Sequence, residues 1–401
     1  FYRSPFIFLN GRFMAEEGNV FFANAFNFSF LKSLMYVSYN SGYLNLWANI
    51  AGIIANFAKL EYAPLLSVYL SLIPKILIIY CVLYWNSFLF NSLVNRFVGC
   101  LIFLATPAIA PEVWVNNINS QLFFCFLMVV YCFADFSKKK LNFFTMAPVF
   151  LAGLSGLYST ILAPIFFYKY RQFKQRQDKY NFYIIFLCSI TQLFLVVYAK
   201  FNNLIHEGKL HSVNLELATN FIYNVIYKSI FGMQSKLIIN FFNFDSMYYF
   251  LLTLFFVSFF SYYLLNYSLK KYKQPLDSNY YVSLSLTYSF YAISFFVLIG
   301  AAGNYVGGRY AVLPSVIFLL TFLHLFNLFS GTKIRYLFCI PLIFSITLGL
   351  YEYKTNNKYY KFLECIKCPD WKKEVQLWNS QSNYRLKIWP YTMNKFMSLT
   401  N

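Results

Sequence analysis

Apolar residues run through this chain in long blocks separated by short polar connections. A helix that crosses roughly 30 Å of hydrocarbon needs about 20 predominantly apolar residues. Eight blocks have that character: Pro64 to Trp85, Val94 to Pro111, Asn119 to Asp135, Asn181 to Phe201, Met247 to Tyr267, Asn279 to Ala301, Tyr310 to Phe329 and Ile334 to Tyr353. A ninth stretch, Leu141 to Tyr168, is too long for one span and too short for two, with Gly153-Leu154-Ser155-Gly156 at its middle. It predicts a hairpin of two short helices or a re-entrant pair, because irregular backbone at membrane depth must be shielded from lipid. The pattern as a whole predicts an all-α polytopic helical bundle.

Between the blocks the periodicity changes. In Gly42 to Ala58, Asn45, Asn49 and Asn56 fall within about 40° of one another at about 100° per residue. Lys59 continues that polar stripe, which predicts a helix lying along the membrane interface rather than another span. Val213 to Phe231 is a similar candidate in the connection 202–246, where it would roof a cavity. In the tail, Trp371 and Trp378 are seven apart and share a helical face, and Tyr384 to Trp389 alternates as a strand does before Pro390. Residues 1–353 therefore form one membrane domain, with 1–63 and 202–246 as its first and second outer loops, and 354–401 a small tail. The chain begins with Phe1 and shows no cleavable signal pattern, so a further span is expected upstream.

Composition agrees: 59% of residues are hydrophobic, 12% are charged, and the mean hydropathy is +0.51. A formal charge of +19 would suggest nucleic acid in a soluble protein, but here it divides between two membrane faces. Arg96, the runs Lys138 to Lys140, Lys169 to Lys179 and Lys270 to Lys273, and Lys333 with Arg335 share one side. Of the acids, Asp135, Asp178 and Asp277 join them, whereas the short connections opposite hold Arg309 as their sole basic residue. The nucleic-acid reading falls away, and the first loop, the second loop and the tail are expected on the outer face, periplasmic in a diderm bacterium.

Candidate chemistry gathers on that face. Glu16 and Glu17 are adjacent carboxylates in a chain with 14 Asp and Glu, well placed for a general base at the membrane surface or else a solvated loop pair. Glu17 is preferred because Gly18 would leave room for a substrate beside it. Arg309, after Gly307-Gly308, can hold a phosphate bidentately, or anchor the interface with Tyr310. Lys75, at mid-span after Pro74, either faces a wet cavity or snorkels from a kinked helix. Asn116, Asn117, Asn119 and Gln121 could bind sugar hydroxyls, with Trp114 offering a ring face; the alternative is ordinary interfacial polarity. His206 and His211 are poorly spaced for a metal, His324 reads as a packing histidine, and Cys365 with Cys368 as an outer-face disulfide. No Walker, H-E-x-x-H or G-x-S-x-G pattern is present, so ATP hydrolysis and zinc proteolysis lose their support.

An acidic first outer loop, loop helices and a second outer loop between later spans resemble the GT-C class of membrane glycosyltransferases. More narrowly, Ala15-Glu16-Glu17-Gly18, Glu112 to Gln121, Gly307 to Tyr310 before Pro314, and the tail with Pro369-Asp370-Trp371, Glu374-Val375, Trp378 and Ile388-Trp389-Pro390 are similar to a family of bacterial membrane proteins found with surface-polysaccharide functions. The resemblance implies a bacterial inner-membrane enzyme. It implies transfer of a sugar from a polyprenyl-phosphate-linked donor to a glycan or lipid acceptor on the outer face. Glu16 or Glu17 would be the base, and Arg309 with Lys75 would hold the donor phosphate. Members of the class work with or without a divalent metal such as magnesium or manganese, and nothing in the sequence decides between these. A lipid-linked oligosaccharide flippase, which needs a polar path across the bilayer, and a polysaccharide polymerase, which is disfavoured because 202–246 holds no Arg, are the competing readings.

Overall fold

The computed structural model describes residues 5–38, 42–106, 113–137, 142–204, 215–235, 277–300, 308–355, 370–381, 383–389 and 395–400. The expected span Met247 to Tyr267, His206, His211, Glu112 and the Cys365–Cys368 pair lie outside them.

The described chain is helical. In order come α1 (Leu46–Asn56), α2 (Ala63–Tyr84), α3 (Leu93–Ala105), α4 (Ser120–Phe133), α5 (Phe143–Leu154), α6 (Tyr158–Phe173), α7 (Arg176–Phe201), α8 (Ser278–Gly300), α9 (Arg309–Leu328), α10 (Lys333–Thr355) and, in the tail, α11 (Trp371–Ser380). Five of these, α2, α7, α8, α9 and α10, are long and apolar enough to cross a bilayer. The chain is thus an all-α membrane protein.

Two expected spans prove shorter than a bilayer is thick. With 13 and 14 residues, α3 and α4 reach only about 20 Å at 1.5 Å per residue. Thirteen residues of α4 are buried, from Ser120 through Phe133 with Gln121 alone excepted. A helix enclosed by other helices is apolar all round without meeting lipid, so its hydropathy reports burial rather than crossing length. The described part of the expected hairpin, from Asn142 on, folds as the two helices α5 and α6, turning at Ser155 and Gly156.

Around α4 the core is aromatic. Phe103 stacks on Phe126 at 5.0 Å, and Trp85 meets Tyr131 edge-on at 4.7 Å. Where α3 crosses α10, a Cβ on Gly349 would lie 1.5 Å from the Ala105 carbonyl oxygen, so only glycine permits that approach.

Contacts at the helix ends show that the helices alternate in direction. Asn95 at the start of α3 donates to Asn327 at the end of α9 (2.9 Å), and Gln175 between α6 and α7 accepts from Phe136 after α4 (3.1 Å). Arg96, Arg171 to Lys179, Lys333 and Arg335 therefore share one end of the bundle, and the first loop, Arg309 and the tail share the other.

The α1 stripe faces inward, unlike the expected interface helix. Asn45 donates to the Ile118 carbonyl (3.1 Å), Asn49 to those of Leu34 and Tyr36 (both 2.9 Å), and Asn56 to that of Ala25 (3.0 Å). These amides staple the loop backbone, whose carbonyls would otherwise be buried without donors. Trp371 and Trp378 do share a face of α11, and pack on Phe13 and Phe26 of the first loop. The expected tail strand pairs as β3 (Leu386–Lys387) with β4 (Phe396–Met397).

At the basic end lies a buried ion pair, Lys169 to Asp178 at 2.9 Å, with both side chains almost fully enclosed. The Lys169 ammonium also donates to the carbonyls of Tyr131 and Ala134, tying α6 to the end of α4. Removing one member of such a pair strands the other charge, which costs about 3–5 kcal/mol, while replacing both is far milder. In detergent, Asp178→Asn is expected to lower the unfolding temperature more than the double replacement Lys169→Met/Asp178→Asn. Equal losses would show that the pair is not coupled.

Candidate functional site

The first loop reaches the bundle through Glu17. Its side chain is only 3% exposed. One carboxylate oxygen accepts from the Ser67 hydroxyl of α2 (2.8 Å) and from the backbone and side-chain amides of Asn117 (both 2.9 Å). The other accepts from the Met14 amide (3.2 Å). Asn117 is held in turn by the Trp47 indole, which donates to it at 3.0 Å. The space that Gly18 was expected to leave is taken: a Cβ there would stand 2.9 Å from that of Phe13 and 3.3 Å from Ile388. Glu17 is an anchor, enclosed and fully engaged.

Its neighbour points the other way. The Glu16 side chain is 51% exposed and pairs with Lys395 of the tail at 3.6 Å. Between Met14 and Glu16, Ala15 sits in the left-handed region at φ 44°, a conformation that costs a non-glycine residue about 1–3 kcal/mol and persists only where surroundings enforce it. Here the enforcement comes from the tail. The Ala15 amide donates to the Trp389 carbonyl (2.6 Å), and the Trp389 amide to that of Phe13 (3.1 Å), a parallel bridge of Met14 with Trp389. The Ala15 carbonyl then accepts from the amides of Gly18 and Asn19. From Glu17 to Phe22 the backbone is a π-helix, a form that recurs at functional sites.

Beside this loop, four segments gather around Tyr43. β1 (Val37–Ser38) and β2 (Tyr43–Leu44) form a short hairpin, and β2 is bolted to α7 by Gln192, which both accepts from and donates to the Leu44 backbone. The Tyr43 hydroxyl is hydrogen-bonded to the Gln121 side chain and lies within electrostatic reach of Arg309, Tyr310 and Glu16. Burial pushes the Tyr43 phenol up, against the pull of the Gln121 hydrogen bond and Arg309. Tyr158, at the start of α6, lies within electrostatic reach of Tyr43, Tyr310 and Arg309. Three phenols, an amide and a guanidinium thus lie together at one end of the bundle, with the Glu16 carboxylate within electrostatic reach of Tyr43, an arrangement suited to holding a phosphate and moving a proton.

Not every expected site residue joins this group. Trp114 is buried between Phe103 and Phe123, with centroids 5.7 and 5.5 Å away, so its ring face is spent on packing. Asn116 and Asn119 are 1% and 2% exposed, and Asn116 accepts from the Asn119 amide; they shape the turn into α4. Lys75 is enclosed at the Pro74 kink, donating to the Ser71 carbonyl (2.6 Å) over the Phe123 ring (4.0 Å). Of these, Gln121 alone reaches Tyr43. Tyr43, Tyr158 and Lys395 carry no signal in the sequence, where 36 Tyr hide two, and Trp389 stands out there only as part of a tail strand. The described residues contain no group of three His, Cys, Asp or Glu able to hold a metal. His324 accepts or donates to the Ser283 hydroxyl at 2.8 Å, as a packing histidine does.

No family model, no curated protein and no solved structure matches this chain.

Desolvation pushes the Glu17 carboxyl above its ordinary 4.5, with the Asn117, Ser67 and Met14 donors pulling it partly back. The folded state therefore binds this proton more tightly than the unfolded chain. Stability from this linkage is complete below about pH 4.5 and is lost as the pH rises through the raised folded value. Glu17→Gln removes the titration and sets an amide N–H against the Met14 N–H, a loss of about 1–3 kcal/mol. Thermal unfolding in detergent is expected to show a lower but flatter profile above pH 4.5 for this variant; a profile parallel to the wild type would contradict the assignment.

Proposed function

We propose that the chain is a polytopic GT-C-type glycosyltransferase that moves a sugar from a polyprenyl-phosphate-linked donor to a hydroxyl of a glycan or lipid acceptor. The reading includes a bacterial inner membrane, with the first loop and tail outside and the basic end inside, as the distribution of Lys and Arg favours. It also counts α3, α4 and the block Met247 to Tyr267 with the five long helices as crossings. The observation that carries it is Tyr43, hydrogen-bonded to Gln121 and within electrostatic reach of Arg309 and Glu16, groups drawn from four separate segments at one end of a membrane bundle.

Glu16 is the base. Its carboxylate takes the acceptor hydroxyl proton as that oxygen bonds to the anomeric carbon. The bond from that carbon to the phosphate oxygen breaks, and the polyprenyl phosphate leaves with the electron pair. Arg309 stabilises the negative charge on the leaving group, and Tyr43 with Gln121 offers hydrogen bonds to the phosphate or the sugar. Glu17 holds Glu16 in place. Against a flippase stands α4, buried and apolar from Leu122 to Phe133 at the centre of the described bundle, where a polar path would be needed.

The test is transfer of labelled sugar from a polyprenyl-phosphate donor in membranes carrying the full chain. Arg309→Ala is expected to lower the rate about 100-fold, Arg309→Lys less, and Tyr43→Phe less again. Undiminished transfer by Arg309→Ala and Tyr43→Phe would overturn these roles.

A further inference from the structure

At the end of the bundle remote from Glu16, α6 and α7 are joined by a turn at Lys174, a non-glycine residue in the left-handed region at φ 52°. Tyr170, Arg171, Lys174, Gln175, Arg176 and Lys179 line a depression there of about 610 Å3. Four of these six residues are cations, each exposed. The nearby acids are occupied: Asp178 turns inward to Lys169, and Asp135 accepts from Ser137 and Gln175. Among the described residues, none of the four cations is paired with a carboxylate. The depression is therefore lined by uncompensated positive charge. Topology alone would ask only for cations somewhere on this side. It would not ask that they ring a concavity whose lining holds no carboxylate.

A second feature adjoins the first. Along α7, directly beyond Lys179, Tyr183, Phe186, Leu187, Ile190 and Phe194 are all exposed, from 45% at Tyr183 to 66% at Phe194. Arg176 lies over the Tyr180 ring and Lys179 over that of Tyr183, so the cations stand at the boundary of this apolar strip. Positive charge in a concavity continuous with an apolar helix face has the chemistry of a phospholipid turned inside out: a seat for the phosphate, then a track for the acyl chains.

We propose that the α6–α7 turn is a binding site for an anionic phospholipid, its phosphodiester headgroup held by Arg171, Lys174, Arg176 and Lys179 and its chains lying along α7. The site is remote from the Glu16 cluster and does not depend on the glycosyltransferase reading. A bound lipid there braces the turn above the Lys169–Asp178 pair, where the basic end of the bundle meets the membrane.

The experiment is native mass spectrometry of the purified full chain, exchanged into detergent with phosphatidylglycerol or phosphatidylcholine and, in a separate arm, with inorganic phosphate added. Wild type is expected to retain phosphatidylglycerol in preference to phosphatidylcholine. Each cation removed should weaken retention about fivefold, so Arg171→Gln/Lys179→Gln loses it about 25-fold, while Lys200→Gln at the far end of α7 does not. Lys174→Gln alone carries the same test should the double variant fail to fold. Equal retention of the two lipids, or a loss as large from Lys200→Gln, overturns the proposal. Full displacement by millimolar inorganic phosphate overturns the lipid assignment in favour of a soluble phosphate.

Discussion

The acidic loop depends on a single buried carboxylate. Glu17 is the point at which three segments distant in sequence are joined, because its oxygens collect the Ser67 hydroxyl, both Asn117 amide groups and the Met14 amide. A charge or proton buried this deeply is tolerable only with such partners. Satisfying them leaves little freedom to the residues on either side. Glu16, next in the chain, is thereby turned to the opposite side and held at the surface.

The tail completes the arrangement. Trp389 bridges the backbone of Phe13 and Ala15, Lys395 pairs with Glu16, and Trp371 and Trp378 cover Phe13 and Phe26. Arg12 lies within electrostatic reach of Asp370 at the start of α11. The left-handed Ala15 is held by these contacts, so the last residues of the chain fix the geometry of the first loop. A membrane bundle whose loop is set by both a buried acid and a docked tail presents its surface carboxylate in a defined place, as the proposed proton transfer would need.

Much of the architecture was legible because hydropathy and periodicity report burial directly. α2, α7, α8, α9 and α10 lie where the apolar blocks predict, and the α5–α6 pair turns at the Ser155-Gly156 step. The same signal overstated the length of α4, since a helix wrapped by other helices is as apolar as one in lipid. The Asn stripe on α1 was correctly placed on one face, but periodicity cannot say whether a polar face meets headgroups or loop carbonyls. At the site, scarcity drew attention to Glu16 and Glu17 without distinguishing them. Their opposite fates are set by Ser67 and Asn117, which are remote in the chain. Tyr43 and Lys395 were invisible because residues of their types are abundant and their meaning comes only from the fold. Lys75 shows the converse: an ammonium at mid-span invited a functional reading, whereas the interruption of α2 at Ser71–Leu72 brings the Ser71 carbonyl within its reach.

The division of labour between the two adjacent acids is the claim on which the rest turns. It is tested most directly by measuring sugar transfer per folded molecule for Glu16→Gln and Glu17→Gln side by side, with folded protein quantified by size-exclusion chromatography in detergent. The account predicts that Glu16→Gln folds in normal yield and loses transfer at least about 100-fold, while Glu17→Gln yields less folded protein that transfers within a few-fold of wild type. The reverse pattern, or full transfer by Glu16→Gln, would contradict it.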